Sequence, residues 1–249
     1  MSRLLTLHGI AAGLHFAQSG ALTYLVTKDS KDAPLWPITR LGWKKVVDTK
    51  EFYLGTLVPI FPFLSGVNHL AAVVSPSWYK GVLDSKVNWL RWAEYSLSAG
   101  VMTFIISILS GVTEVRTLVS LMILNAAMQM MGLLIEKRKA KNAPLSEMIA
   151  LFGVAWGIFA AIWSQIVISF MTVIGEDDVK PPAIVYSIIY MMLGLFSSFG
   201  VAQLLYCADV MSFETYEMTF IGLSLAAKSS LSWMVYGGVL AADARFEEN

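Results

Sequence analysis

The chain has 249 residues, 56% of them hydrophobic and 14% charged. A soluble domain of this length carries about a quarter charged residues, so the composition points to a lipid-embedded chain. Eighteen basic residues balance eighteen acidic ones, which excludes a nucleic-acid binder selected by charge, and a single cysteine, Cys207, excludes an internal disulfide or a cysteine-rich metal site.

Seven stretches are long and apolar enough for helical spans of about 20 residues: roughly 4–26, 52–75, 88–111, 115–136, 146–174, 182–207 and 213–242. The first begins too early and runs too long for the apolar core of a cleavable signal. Runs of this length lack the two-residue alternation of barrel strands, so closed helices are expected. The fold class is therefore an all-α membrane protein. It reads as one seven-helix transmembrane domain over residues 1–249, with no room for a soluble second domain.

The first connection, about residues 27–51, is the longest. It holds Pro34, Trp36 and Pro37, then a mixed-charge run from Thr39 to Val47, and is expected to form a short β-hairpin on the membrane surface. Pro59 and Pro62 are expected to kink the second span. Pro76-Ser77 closes that span, and Gly111 to Arg116 links the third to the fourth tightly. Glu136-Lys137-Arg138-Lys139 ends the fourth, and Gly175-Glu176-Asp177-Asp178 with Pro181-Pro182 bracket the fifth loop.

Lys and Arg number eight at the N-terminus and even loops. Outside the first loop, the odd loops and C-terminus carry three. On the positive-inside rule this favours a cytoplasmic N-terminus and an extracellular C-terminus; with the six basic residues of the first loop included, the rule is silent.

Two ionisable residues lie deep within spans. Lys228 sits in the middle of the seventh, within Ile221-Gly-Leu-Ser-Leu-Ala-Ala-Lys228-Ser-Ser-Leu-Ser-Trp233, and Glu94 sits early in the third, within Trp89-Leu-Arg-Trp-Ala-Glu94-Tyr-Ser-Leu-Ser98. A charge at mid-bilayer costs several kcal/mol, and Lys228 is too far from either end to snorkel. Its amine must be neutralised, paired or consumed in a covalent bond. A desolvated lysine amine is a good Schiff-base nucleophile, and a protonated imine needs a nearby anion, a role open to Glu94. On these residues alone, a structural Lys–Glu bridge and a transporter's ion site remain equally open, as does an ion pair of Glu94 with Arg91 one turn earlier. Glu136, beside Lys137 and Arg138, reads as an interfacial charge. Glu214 and Glu217 read as favourable acids at a helix N-terminus. There is no phosphate-binding loop, metal cluster or nucleophile elbow, so no enzymatic chemistry is expected. Gly9 and Gly13 have the four-residue spacing of close helix packing, against a neighbour or a second subunit.

Five segments resemble the heliorhodopsin family. They are the Lys228 segment, Trp92 to Ser98, Asn125 through Gly132 to Glu136, Gly13-Leu-His15-Phe-Ala-Gln18, and Phe196-Ser-Ser-Phe-Gly-Val-Ala-Gln203. They touch five of seven spans in order. The resemblance implies that Lys228 binds all-trans retinal and that Glu94 is the sole counterion. It implies that Ser224 stands where ordinary microbial rhodopsins carry an aspartate, and that Ser98 bonds the Glu94 carboxylate. Met128, Gly132, Phe196 and Trp233 would line the polyene, with Trp163 or Trp156 near its ring. His15 and His69 would form a polar cluster beside the counterion, and Asn68, Asn125 and Gln18 are candidates for the same network. Ala160-Ala161 departs from the family where a fifth-span proline is expected.

The resemblance also implies a homodimer in the lipid bilayer, with Trp36 of the first loop a candidate surface for it, and an unknown signalling partner. Eleven residues beyond Glu94, where ordinary pumps place a donor carboxylate, stands Ile105. A sensory photoreceptor without pumping is therefore expected. A light-gated proton channel using the membrane glutamates is the alternative, and a retinal-free transporter is a third class.

Overall fold

In the computed structural model, residues 1–29, 35–42, 45–175 and 181–241 are described. Pro34, Glu176 to Asp178 and the last residue of the expected seventh span lie outside them. The described chain comprises helix α1 (Ser2–Lys28), strands β1 (Trp36–Leu41) and β2 (Val46–Phe52), and helices α2 (Ile60–Val74), α3 (Pro76–Ser85), α4 (Trp89–Leu109), α5 (Val115–Ala140), α6 (Leu145–Ile174), α7 (Ala183–Cys207) and α8 (Phe213–Val235). A 3₁₀ turn at Leu54–Leu57 precedes α2, and a π-helical turn at Tyr236–Leu240 follows α8.

Among the described residues, five segments are long and apolar enough on their own to cross a membrane: Leu54–Val74, Trp89–Leu109, Val115–Ala140, Leu145–Ile174 and Ala183–Cys207. Helices α1 and α8 complete the bundle with 27 and 23 residues, and they carry His8, His15, Glu217 and Lys228 among their buried residues. Neighbours in sequence pack side by side: α1 on α2, α4 on α5, α5 on α6 and α7 on α8, with α8 returning to α1. The main apolar core fills the half of the bundle beyond Lys228, where Ile105, Ile106, Leu118, Ile188, Leu231 and Val235 are sealed from solvent.

Three expectations change in detail. The prolines fall where the second span changes from the 3₁₀ turn to α2, and not inside a continuous helix. Pro59 caps α2 and Pro62 falls in its first turn, where a missing N–H costs no helical bond. Ser19 of α1 donates to the Pro59 carbonyl at 2.9 Å, which ties the two helices at that break. Second, the connection after α2 contains a ten-residue helix, α3, started by Pro76 and ended by Lys86 in the left-handed region at φ 54°. Third, the fourth span extends to Ala140, four residues past its expected end.

The first loop forms the expected antiparallel hairpin, pairing Trp36 with Phe52 and Ile38 with Lys50. It docks on the α4–α5 link: the Thr39 N–H donates to Thr113 O at 2.9 Å and Arg116 Nη2 donates to Leu41 O at 2.7 Å. Beside it Glu114 caps α5, accepting from Thr117 N at 2.8 Å.

Candidate functional site

Lys228 and Glu94 meet across the bundle. Lys228 Nζ donates to Glu94 Oε1 at 3.1 Å and to Ser224 Oγ at 2.9 Å, and lies 4.6 Å from the centre of the Tyr95 ring. Lysine and carboxylate are 3% and 6% exposed, so the charges have each other in place of water. Ser224 is one turn before Lys228 on α8, which aligns its hydroxyl with the amine. The alternative partner, Arg91, is taken up elsewhere.

Ser98 is not the group that bonds the carboxylate. Its hydroxyl is buried with no partner among the described residues, and it faces the cavity. Ser65 of α2 supplies the bond instead, donating to Glu94 Oε1 at 2.7 Å. This residue escaped the sequence reading because a serine in a span carries no local signal; its role depends on α2 lying against α4.

A cavity of about 810 Å³, mouth included, opens from Lys228 and Ser224 between α4, α5, α6 and α7. Met128, Gly132 and Phe196 line it, with Trp156 and Phe159 farther along. Gly132 is required by a close approach: a Cβ there would lie 2.3 Å from the Trp92 ring. A Cβ on Gly200 would lie 2.9 Å from the Trp156 ring. Both indoles therefore close down on bare backbone and shape the walls. A single amine with its anion at one end of a mostly aromatic and aliphatic space fits an aldehyde-bearing polyene.

Two tryptophans depart from expectation. Trp233 does not line the cavity; it is 41% exposed and packs edge-on against Tyr236. Five residues beyond Lys228, it is rotated by about 140° around α8 and looks outward. Trp163 stands one layer behind the wall, its ring 6.1 Å from Phe196 and 5.9 Å from Phe159, whereas Trp156 touches the space directly. Gln203, buried on α7, donates to Gly132 O at 2.8 Å and holds α7 against α5 at the cavity.

The histidines form a cluster of three. His15 stacks on His69 with ring centres 5.6 Å apart, and His69 Nδ1 meets His8 Nδ1 at 2.9 Å. One of the two nitrogens carries the proton and the other accepts it. His8 was legible in principle: it is seven residues before His15, two turns along one face. His69 is one turn after Ser65, which brings the cluster to the carboxylate's side of the bundle. Gln18 is half-buried with Oε1 unpartnered, and Asn68 is half-buried next to His69. Asn125 belongs elsewhere. It donates to Thr103 Oγ1 at 2.9 Å, nine residues past Glu94 and so about 13 Å farther along α4.

The largest departure lies at the other end. Arg91, Glu136 and Glu217 are 4%, 0% and 1% exposed. Arg91 bonds both carboxylates, Nη2 to Glu136 and Nη1 to Glu217. Glu136 is thus no interfacial charge, and Glu217 is no solvated helix-end acid; Glu214 is, exposed and 3.9 Å from the N-terminal amine. Sequence reading failed here because each acid looked terminal on its own helix, and only the packing of α4, α5 and α8 encloses them together.

The family model for heliorhodopsins matches residues 4–240. No curated protein matches the sequence. Among solved structures, the fold is similar to the transmembrane domain of Salpingoeca rosetta rhodopsin phosphodiesterase, with TM-score 0.72, 12% identity, and coverage of 95% of this chain and 84% of that one. It is similar to the light-driven proton pump rhodopsin of Coccomyxa subellipsoidea, with TM-score 0.70, 14% identity, and coverage of 93% and 95%. It is also similar to the thermophilic rhodopsin of Rubrobacter xylanophilus, with TM-score 0.65, 12% identity, and coverage of 95% and 96%. At these identities the likeness shows a shared fold. With the family match over nearly the whole chain, the protein belongs to the heliorhodopsin family, integral membrane photoreceptors that bind retinal.

Proposed function

We propose that this chain is a light sensor in which Lys228 carries all-trans retinal, Glu94 is its sole counterion, and the proton released by light stays inside the protein. When bound, retinal supplies the chromophore, as an aldehyde that condenses with the Lys228 amine to a protonated Schiff base and isomerises in light. The observation that carries this reading is the 3.1 Å contact of Lys228 Nζ with Glu94 Oε1 at the end of an apolar cavity.

The residues divide the work as follows. Glu94 offsets the positive charge at position 228, and the Ser65 hydroxyl steadies it. Ser224 bonds the nitrogen without neutralising it. The Tyr95 ring lies against the cation and excludes water. His15 and His69 are bases within the same buried region, able to hold a proton that leaves the pair. On the other side of Lys228 the buried polar groups include Thr103, Ser107, Asn125 and Ser232, with no buried carboxylate or histidine among the described residues to pass a proton onward. That supports sensing over pumping.

Purified protein with all-trans retinal is expected to gain a visible band, and voltage clamp under illumination is expected to record no sustained current. A second reading, a light-gated proton channel, is favoured by one observation: buried polar groups continue from Glu94 through the histidines to Glu217 and Glu136. A current that reverses with the proton gradient would select it over the sensor.

Two further parts of this reading concern assembly and orientation. The exposed small-residue face of α1, where a Cβ at Gly9 or Gly13 meets nothing within 4 Å, supports a homodimer in the bilayer, with the Trp36 hairpin as a further contact. The basic residues near the even loops support a cytoplasmic N-terminus and an extracellular C-terminus. Labelling of single cysteines placed at Ser2 and Ser212 from one side of sealed vesicles tests it, since both ends lie on that same side.

A further inference from the structure

One guanidinium faces two carboxylates in the Arg91 cluster. All three groups are cut off from solvent, and among the described residues Arg91 is the one cation in a salt bridge with either acid. With both acids ionised the cluster would hold a net negative charge inside the bundle. Such an uncompensated charge is far costlier than a neutral carboxyl with a hydrogen-bond partner. One of the two should therefore hold a proton, and the hydrogen-bond partners identify it.

Glu136 accepts from Arg91, from the Asn88 backbone N–H at 2.8 Å and from Trp92 Nε1–H at 2.9 Å. Each of these partners can only donate. A proton on Glu136 would take the lone-pair site left on Oε1 and would meet no acceptor among these partners. Glu217 accepts from Arg91 and, at Oε2, from Asn88 Nδ2 at 2.8 Å. Its remaining neighbour at that oxygen is Tyr79 Oη, at 3.3 Å, and a tyrosine hydroxyl can accept as well as donate. A protonated Glu217 can donate to Tyr79; a protonated Glu136 has no such partner.

A second observation points the same way. The Tyr79 ring packs edge-on against His8 at 4.7 Å, and His8 bonds His69. Among the described residues, the Nε2 atoms of His8 and His69 and both ring nitrogens of His15 are buried without partners, as is Arg91 Nε. Unpartnered proton-binding nitrogens thus lie in the same buried region as Tyr79 and the acid. The charged and titratable groups around Glu217 are Tyr79 of α3, Arg91 and Tyr95 of α4, Glu136 of α5 and Tyr216 of its own helix, with His8 of α1 behind Tyr79. The Arg91 guanidinium is enclosed by the Phe220, Tyr216 and Trp92 rings at 4.4, 4.8 and 5.0 Å, which leaves it no room to swing away.

We propose that Glu217 is a buried proton-binding site, occupied in the dark at neutral pH, whose hydrogen is donated to Tyr79 while Glu136 remains the anion that pairs with Arg91. The site is independent of the chromophore and is tested without light. Infrared spectra of the full chain in lipid vesicles, with and without retinal, are expected to show a protonated-carboxyl C=O band. Glu217→Gln should abolish the band, Glu136→Gln should keep it, and Tyr79→Phe should keep it but shift its frequency. The amide of Glu217→Gln mimics a protonated carboxyl, so its thermal midpoint should stay near that of the parent. Glu136→Gln removes the anion opposite Arg91 and should lower the midpoint clearly. Absence of the band, its loss in Glu136→Gln with survival in Glu217→Gln, or equal destabilisation by the two variants would each overturn the assignment.

Discussion

Ser65 Oγ donates a 2.7 Å hydrogen bond to the same Glu94 oxygen that meets Lys228 Nζ at 3.1 Å. A donor on the carboxylate spreads its negative charge and weakens its pull on the cation. Ser65→Ala should therefore strengthen the counterion and move the visible band to shorter wavelength. It should also cost about 1–2 kcal/mol of stability, since a bond to a charged group is lost in a buried place. Absorption spectra and thermal midpoints of the retinal-loaded variant check both; a shift to longer wavelength would refute the role given to Ser65.

Removing the anion itself should act in the opposite sense. Glu94→Gln is expected to shift the band to longer wavelength, because the cation is no longer held in place by a localised charge. Lys228→Ala is expected to abolish the band entirely. Titration with all-trans retinal measures both, and any persistent band in Lys228→Ala places the attachment elsewhere.

Gly132 stands where the Trp92 indole crosses the backbone, and an added Cβ would sit 2.3 Å from that ring. The indole also donates to Glu136, so it cannot move without breaking that bond. Gly132→Ala is expected to destabilise by about 1–3 kcal/mol, the usual range for overpacking, and to slow retinal loading. Unchanged thermal midpoints and loading rates would show that Trp92 has slack.

Glu114, at the edge of the bundle, supplies a pH dependence with a definite sign. Arg116 beside it, through a 2.9 Å bond, is the chief cause that holds its carboxyl down from 4.5 to about 2; the Thr117 N–H adds to it. Its folded pKa is below the unfolded one. Its contribution is therefore fully present above about 4.5 and lost as pH falls toward 2. The thermal midpoint of Glu114→Gln should fall below that of the parent at neutral pH, and the difference should shrink on acidification through that window. A difference that is independent of pH would show that the cap works through shape alone.

Hydropathy and spacing determined much of this protein. Spans of about 20 apolar residues can satisfy their backbone in lipid only as helices, so the bundle could be read directly. Lys228 and Glu94 stood out for the same reason, because an ionisable side chain in such a run is too costly to be incidental. The hairpin followed from the punctuation of the first loop.

What only the tertiary structure decided is which helix faces meet. Ser65, not Ser98, reaches Glu94 because α2 leans on α4; the rotation of α8 turns Trp233 outward; and Asn125 joins Thr103 rather than the histidines. The same packing encloses Arg91 between Glu136 and Glu217. A residue near the end of a span looks the same in sequence whether it meets headgroups or a neighbouring helix. Its charge is dictated by the partners around it, and those come from elements 45 and 126 residues away along the chain.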